Sequence, residues 1–444
     1  MLAAPARVEV AGVLRDRLTK ARRHTDELFN IVKQDALYDR PIPERHRIIF
    51  YVGHVEAFDW NLLRGRLFDF NSFDASLDQL FAFGIDPVDG GLPSDQPGDW
   101  PSLIQVRRYV AQVREILDGA IQKLSAHAGS AQEDPVRQLL NVAIEHRLMH
   151  AETLAYMLHQ MPLERKLPQP SPPSLFVPQI DSRMIEIPEG SATLGLARSN
   201  NLAFGWDNEY EEHETFVPSF AIDQHKVTNR QFLEFLNSGG YENRALWSDA
   251  NWAWRSAQNI THPAFWRKSG QGWLQRTMFS EVPLPLDWPV YVSHAEASAY
   301  ARWEGKSLST EAQWHRAAFA VPGGSEHSYP WGNEPPASRH GNFDFQRWDP
   351  VAVGSYPAGQ SAFGVREMVG NGWEWTSTVF APFAGFEAFS FYPGYSTNFF
   401  DGQHYVIKGG SARTAACVLR PSFRNWFQPH YQYVYAGFRC VSNG

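Results

Sequence analysis

The residues whose types and spacing are best suited to chemistry are His146 and His150, in the segment EHRLMHAET. Side chains four apart on a helix lie on one face, one turn apart. Two imidazoles placed this way can hold one metal ion while the helix keeps its backbone hydrogen bonds. In a helical bundle the remaining ligands come from facing helices. His54, in the apolar run IIFYVGHVEAFDW, is the third candidate. With Val52, Val55 and Phe58 around it, its ring is expected to be buried, and a buried imidazole needs a partner. An HxxxH pair alone is a weak motif, common among ordinary helix histidines. A third histidine in another apolar helix strengthens it. Three imidazoles suit zinc as well as other metals, so these residues give a three-histidine site with open positions and leave the metal undecided.

The elements that must position these groups fall into two grammars. Residues 1–163 contain four long segments with apolar residues at helical spacing: VAGVLRDRLTKARRHTDELFNIV, RIIFYVGHVEAFDWNLLRGRLF, SLIQVRRYVAQVREILDGAIQKL and PVRQLLNVAIEHRLMHAETLAYMLHQM. They predict a four-helix bundle. Asp99 and Ser102 are expected to cap the third segment, and Asp134-Pro135 the fourth. Residues 164–181 form a Pro-rich linker, in which an extended chain is expected. Residues 182–444 keep helical periodicity only in short pieces such as TNRQFLEFLNSGG and HAEASAYARWEG. The rest is Gly, Pro, Asn and Trp punctuation between short apolar runs, which predicts an α+β domain with much loop.

Composition removes several function classes. The 40 Lys and Arg against 48 Asp and Glu, a formal charge of −8, form no basic block, so nucleic acid is not an expected partner. No run of 18 apolar residues predicts a membrane span. The N-terminal stretch lacks the unbroken apolar centre of a signal peptide. Two cysteines make no disulfide framework, and a cytoplasmic location is expected. The 16 Trp exceed what core filling requires and point to packed loops and aromatic-lined pockets.

Several of these segments resemble known families. HRLMHAET and YVGHVEAFDWNLL resemble the ligand-bearing helices of DinB-like bundles. FGWDNEYEEH, FAIDQHKVTNRQFLEFL, GGYENRALWSDANWAW, GNGWEWTS, KGGSAR, SFRNW and AGFRC resemble the formylglycine-generating-enzyme (sulfatase-modifying factor) fold, which is C-type-lectin-like. Together the two resemblances cover nearly the whole chain. Their fusion is the arrangement of the ergothioneine-type sulfoxide synthases, and LWSDANWAW and FRNW are the phrases most specific to them. The resemblance implies an oxidoreductase with non-heme Fe(II) held by His54, His146 and His150. Its three remaining positions take a thiolate, the imidazole of a histidine derivative, and O2. Forming the C–S bond of hercynine and oxidising it to a sulfoxide uses all four electrons that O2 accepts. Glu152 matches a family glutamate and implies a partner that orients an imidazole. Tyr392 and then Tyr395, in FYPGYSTNFF, match the region of the family's acid.

The chain also departs from the family. The best-known members carry Gln at the positions of Phe58 and Met149 and Asp at that of Phe427, all contacts to their substrates. Asn425 remains as a polar contact, and Trp426 with Phe427 is expected to offer an aromatic surface to a trimethylammonium group. Residues 67–106 contain no Lys or Arg but hold Asp69, Asp74, Asp78, Asp86, Asp89, Asp95 and Asp99. A dicarboxylate thiol such as γ-glutamylcysteine wants Arg clamps, so this segment favours cysteine; several of these Asp are also expected as turn and cap residues. Other readings are an ovothiol-type synthase acting on histidine, a selenoneine-type synthase, a formylglycine-generating oxidase and a binding protein without catalysis. The copper oxidase needs two cysteines about five residues apart, whereas Cys417 has Ser422 at that spacing and Cys440 reads as structural. A homo-oligomer is compatible with the sequence.

Overall fold

A computed structural model of the chain describes residues 4–82, 92–126, 133–170, 183–199, 203–270 and 272–443. The chain divides into two compact units, Met1–Gln169 and Pro170–Gly444.

The first unit is helical. Its long helices are α1 (Ala4–Asn30), α2 (Ile48–Leu63), α4 (Leu103–Ala126) and α5 (Glu133–Gln160), with a short α3 (Ala75–Leu80) between α2 and α4. α1 packs on α4 and α5, and α2 packs on the same two helices. α2 buries every residue except Val52, Phe58 and Asn61. A helix apolar nearly all round has no solvent face and belongs in the interior, which is where its histidine and two acids then lie. The cap of α4 is Ser102: its hydroxyl accepts from the Gln105 backbone N–H, and the Gln105 side chain accepts from the Ser102 N–H at 3.0 Å. Asp99 serves the preceding turn instead, accepting from the Gln96 N–H at 2.7 Å. Pro135 lies in the first turn of α5, where a missing N–H breaks no bond. α3 is too short to show a period; the Asp74 carboxylate starts it by accepting from the Leu77 N–H. None of the described helices is long and apolar enough to cross a membrane.

The second unit is mixed α+β with long connections. One sheet runs in the order β1 (Met184–Ile187), β4 (Phe220–Asp223), β13 (Cys440–Asn443), β8 (Ser307–Leu308), all neighbours antiparallel. A second four-stranded sheet runs β11 (Asn425–Phe427), β10 (Tyr405–Lys408), β9 (Trp373–Val379), β12 (Ala436–Gly437), with β12 parallel to β9. Two smaller antiparallel sheets pair β2 (Gly190–Leu194) with β3 (His213–Val217), and β6 (Gly272–Arg276) with β5 (Trp266–Ser269) and β7 (Glu281–Pro283). The helices α6 (Asn229–Asn237), α8 (His294–Trp303) and α9 (Glu311–Phe319) each start with a capping box, Thr228 with Gln231, Ser293 with Glu296 and Thr310 with Gln313. The core packs Ile187, Phe220, Ile222 and Val441 against Trp314, Phe319 and Met368. The KGGSAR segment needs its glycines: Gly409 has φ +104°, and a Cβ there would lie 2.6 Å from the Met368 carbonyl oxygen.

Candidate metal centre

α2 carries His54, and one turn of α5 carries His146 and His150. All three are nearly fully buried, at 5%, 4% and 6% exposure. The structure brings them together, with one ring nitrogen from each within 4.8 Å of the others. His54 Nε2 lies 3.2 Å from His150 Nε2, which lies 3.0 Å from His146 Nε2. Among the described residues this is the only group of three or more His, Cys, Asp or Glu so placed.

The protonation follows from the surroundings. His54 Nδ1 is 2.7 Å from the Phe81 carbonyl oxygen. A carbonyl only accepts, so Nδ1 carries the proton and Nε2 keeps its lone pair. Burial holds His54 down to about 4, with the nearby His46 and Arg147 acting the same way and the Phe81 bond opposing. Burial also pushes His146 and His150 well below the usual imidazole range, helped by the neighbouring histidines. All three are neutral near pH 7, the form that ligates a metal.

These residues fit a bound metal. Neither Nδ1 of His146 nor that of His150 has a hydrogen-bond partner among the described residues, and both Nε2 atoms point into the cluster. With metal–nitrogen bonds of about 2.1 Å, ligand nitrogens are about 3.0 Å apart at a right angle and about 3.4 Å apart at the tetrahedral angle. The observed 3.0 and 3.2 Å fall within this span, so the three imidazoles could hold one metal ion between them.

The support around the rings is aromatic. Phe58 stacks on His146 with ring centres 3.3 Å apart and planes 11° apart, and Phe50 stacks on His54 at 4.7 Å and 24°. Phe50, His54 and Phe58 form one i, i+4 stripe of α2. Gly53 has a steric reason: a Cβ there would lie 2.5 Å from the Phe81 ring, so only glycine lets Phe81 settle on α2 and bring its carbonyl to His54. Met149 is half-buried beside His150 in sequence. Glu152 is buried. Two residues beyond His150, it points to another face of α5, and the orienting partner of His54 is the Phe81 backbone. The sequence offered no signal for a carbonyl in that role.

The Asp-rich segment is largely structural. Asp78 accepts from Trp60 Nε1 and the Tyr109 hydroxyl, Asp74 and Asp99 close turns, and Asp95 accepts from Trp100 Nε1 and pairs with Arg40 and Arg47. Asp69 is exposed; Asp86 and Asp89 lie outside the described residues. Most of this acidity is therefore engaged internally, and three arginines, Arg40, Arg47 and Arg64, reach the segment from outside it, so it carries no argument about the sulfur donor.

In the second unit, Tyr395 lies in α10 (Gly394–Thr397) and Tyr392 just before it, both half-buried. Tyr395 stacks on Trp206 at 4.0 Å and meets Trp426 edge-on at 5.4 Å. Trp426 stacks on Phe380 at 4.1 Å. Successive side chains of a strand alternate, so on β11 Trp426 faces one way, with Tyr395, and Asn425 and Phe427 face the other. Phe427 stacks on Tyr431 at 5.2 Å. Trp426 and Phe427 thus do not present one continuous aromatic surface. The Ser422 hydroxyl donates to Glu209, and Cys440 is fully buried with its thiol pushed up by burial and by Asp223. Cys417 therefore has no thiol five residues away to share a soft metal.

Residues 17–154 match the DinB superfamily, and residues 176–444 match the sulfatase-modifying factor enzyme 1-like domain. The chain is 33% identical to the hercynine oxygenase of Mycolicibacterium thermoresistibile, over 99% of this chain and 96% of that protein. It is 28% identical to ergothioneine biosynthesis protein 1 of Neurospora crassa, over 93% of this chain and 55% of that longer protein. Similarity to the formylglycine-generating enzyme of Mycobacterium tuberculosis, at 30% identity, extends over 45% of this chain.

Proposed function

This chain belongs to the hercynine oxygenase family, and we propose that it is an Fe(II)- and O2-dependent sulfoxide synthase of ergothioneine biosynthesis. It joins the sulfur of cysteine, or of a related thiol, to the imidazole ring of hercynine. The observation that carries this reading is the set of three buried, neutral imidazoles with nitrogens 3.0 and 3.2 Å apart. Iron held there by His54, His146 and His150 would supply a redox-active centre with positions left for a thiolate, an imidazole and O2.

The chain's own residues bind, orient and exclude. His54, His146 and His150 donate lone pairs. The Phe81 carbonyl keeps the His54 proton on the outer nitrogen. Phe58 covers His146 and, with Met149, leaves no side-chain amide at the positions they occupy, so the imidazole substrate is held there by stacking and apolar contact. Trp426 with Tyr395 is the aromatic pair assigned to the trimethylammonium group of hercynine. Asn425 and Phe427, on the opposite face of β11, are assigned to the remaining substrate contacts. Tyr392 is the proton donor to the reacting oxygen, with Tyr395 second to it because its ring is already stacked.

The test is purification and metal analysis, then anaerobic loading with hercynine or histidine and with cysteine or γ-glutamylcysteine, followed by O2 and mass spectrometry. The expected product is the sulfoxide of hercynine and cysteine from a protein holding one iron per chain. A chain without iron and without Fe(II)-dependent O2 uptake overturns the reading, and preferential turnover of histidine redirects it to the ovothiol-type reaction.

A further inference from the structure

The bundle interior holds a second set of buried groups that the proposed chemistry does not use. Arg147 follows His146 on α5 and is fully buried. Its Nη1 donates to Glu56 Oε1 at 2.8 Å, and its Nη2 donates to Asp59 Oδ2 at 2.6 Å and to the Val55 carbonyl at 2.7 Å. Glu56 and Asp59 are also fully buried. One planar guanidinium therefore holds three points within two turns of α2, which restrains both sliding and rotation between the two ligand-bearing helices.

The stripes on the two helices make this consequential. On α2, His54 and Phe58 form one stripe, and Glu56 and Asp59, three apart, form another. On α5, His146 and His150 form one stripe, and Arg147 stands one step round from it. Pinning the charged stripes fixes the angle at which the imidazole stripes face each other. A slip of one residue would move a ligand about 1.5 Å along and about 100° around its helix, which would destroy the 3.0 and 3.2 Å spacing. The other long helices join the same point. Arg114 of α4 donates to Glu56 Oε1 at 2.8 and 2.6 Å and holds Asp26 of α1 at 2.8 and 2.7 Å.

We infer that Arg147, held by Glu56 and Asp59, is a positioning residue of the metal centre: it sets the three imidazoles at ligating separation before any metal arrives. The inference rests on the three histidines being a metal site, and the experiment separates the two. Ferrous iron is titrated anaerobically into wild type, Arg147→Lys and the triple variant Glu56→Gln/Asp59→Asn/Arg147→Met, with circular dichroism and thermal unfolding measured on each. Arg147→Lys keeps the charge but cannot span three acceptors with a fixed fork. The triple variant removes the Arg147 guanidinium together with both of its carboxylate partners, which proteins tolerate far better than removing one, while Arg114 keeps Asp26 and Arg22 keeps Asp118.

The expected result is a folded variant whose iron affinity falls about 10–100-fold, the usual effect of losing a group that orients metal ligands. A shift in unfolding temperature with unchanged affinity of the folded protein would make the network a stability device only and overturn the inference. So would failure of both variants to fold. A wild-type protein that takes up no ferrous iron would instead refute the metal site itself.

Discussion

Replacing Gly53 with alanine tests the support of His54 at one atom. A Cβ there would stand 2.5 Å from three carbons of the Phe81 ring. Carbon atoms pack at about 3.5 Å or more, so the ring must recede by about 1 Å. Phe81 is fully buried, among Phe50, Trp100 and Tyr109, and its own carbonyl is the group bonded to His54 Nδ1 at 2.7 Å. A 1 Å displacement would stretch that bond beyond hydrogen-bonding range. Overpacking costs about 1–3 kcal/mol, offset by about 1 kcal/mol from the better helix propensity of alanine. The variant should therefore fold with a modest loss of stability. Metal affinity should suffer more, falling about 10–100-fold as the ring of His54 loses its orientation. Anaerobic Fe(II) titration of the folded variant reads this directly. The double variant Gly53→Ala/Phe81→Ala removes the clash while keeping the backbone carbonyl, and should recover part of the affinity. Wild-type affinity in Gly53→Ala would show that the Phe81 carbonyl does not orient His54.

Three further outcomes follow from the site and the second unit. His146→Ala and His150→Ala should each abolish iron binding and turnover while leaving the helical circular dichroism intact; retained stoichiometric iron in either would remove that histidine from the ligand set. Tyr392→Phe should keep iron in place and shift products from sulfoxide toward sulfinic acid, so an unchanged product ratio on mass spectrometry removes Tyr392 from the reaction. His294, buried and stacked on Tyr405 at 3.8 Å, is held down to about 3, chiefly by burial. Its folded state binds a proton less readily than the unfolded chain, so its stabilising effect is complete above about pH 6.5 and is lost as the pH falls toward 3. The loss is on the order of a few kcal/mol. Substituting His294→Phe should flatten the acid limb of the stability curve of the second unit, as followed by tryptophan fluorescence, and an unaltered limb would count against that assignment.

The parts of the site that were legible in the sequence are those set by local periodicity. His146 and His150 face one way because a helix repeats every 3.6 residues, and the apolar run around His54 announces an interior helix. The Asp-rich segment was partly misread because composition does not distinguish a free carboxylate from one bonded to Trp60, Tyr109 or Arg47. Phe81 was invisible because its contribution is a backbone carbonyl brought in by a helix too short to show a period. β11 has only three residues, too few for an alternation that would have separated Trp426 from Phe427. Arg147, Glu56 and Asp59 did leave a signal: charged residues inside otherwise apolar helices have to meet one another.

The placement of β13 has a kinetic consequence. It lies between β4 and β8, and the Cys440 N–H bonds to Asp223, 217 positions earlier in the chain. Closing that sheet requires a search over a very long loop, whereas helices form from contacts a few residues apart and helix-rich units fold fastest. During synthesis the ligand-bearing bundle is complete in sequence long before β13 exists. The bundle, with its three imidazoles, can therefore come together before the sheet closes.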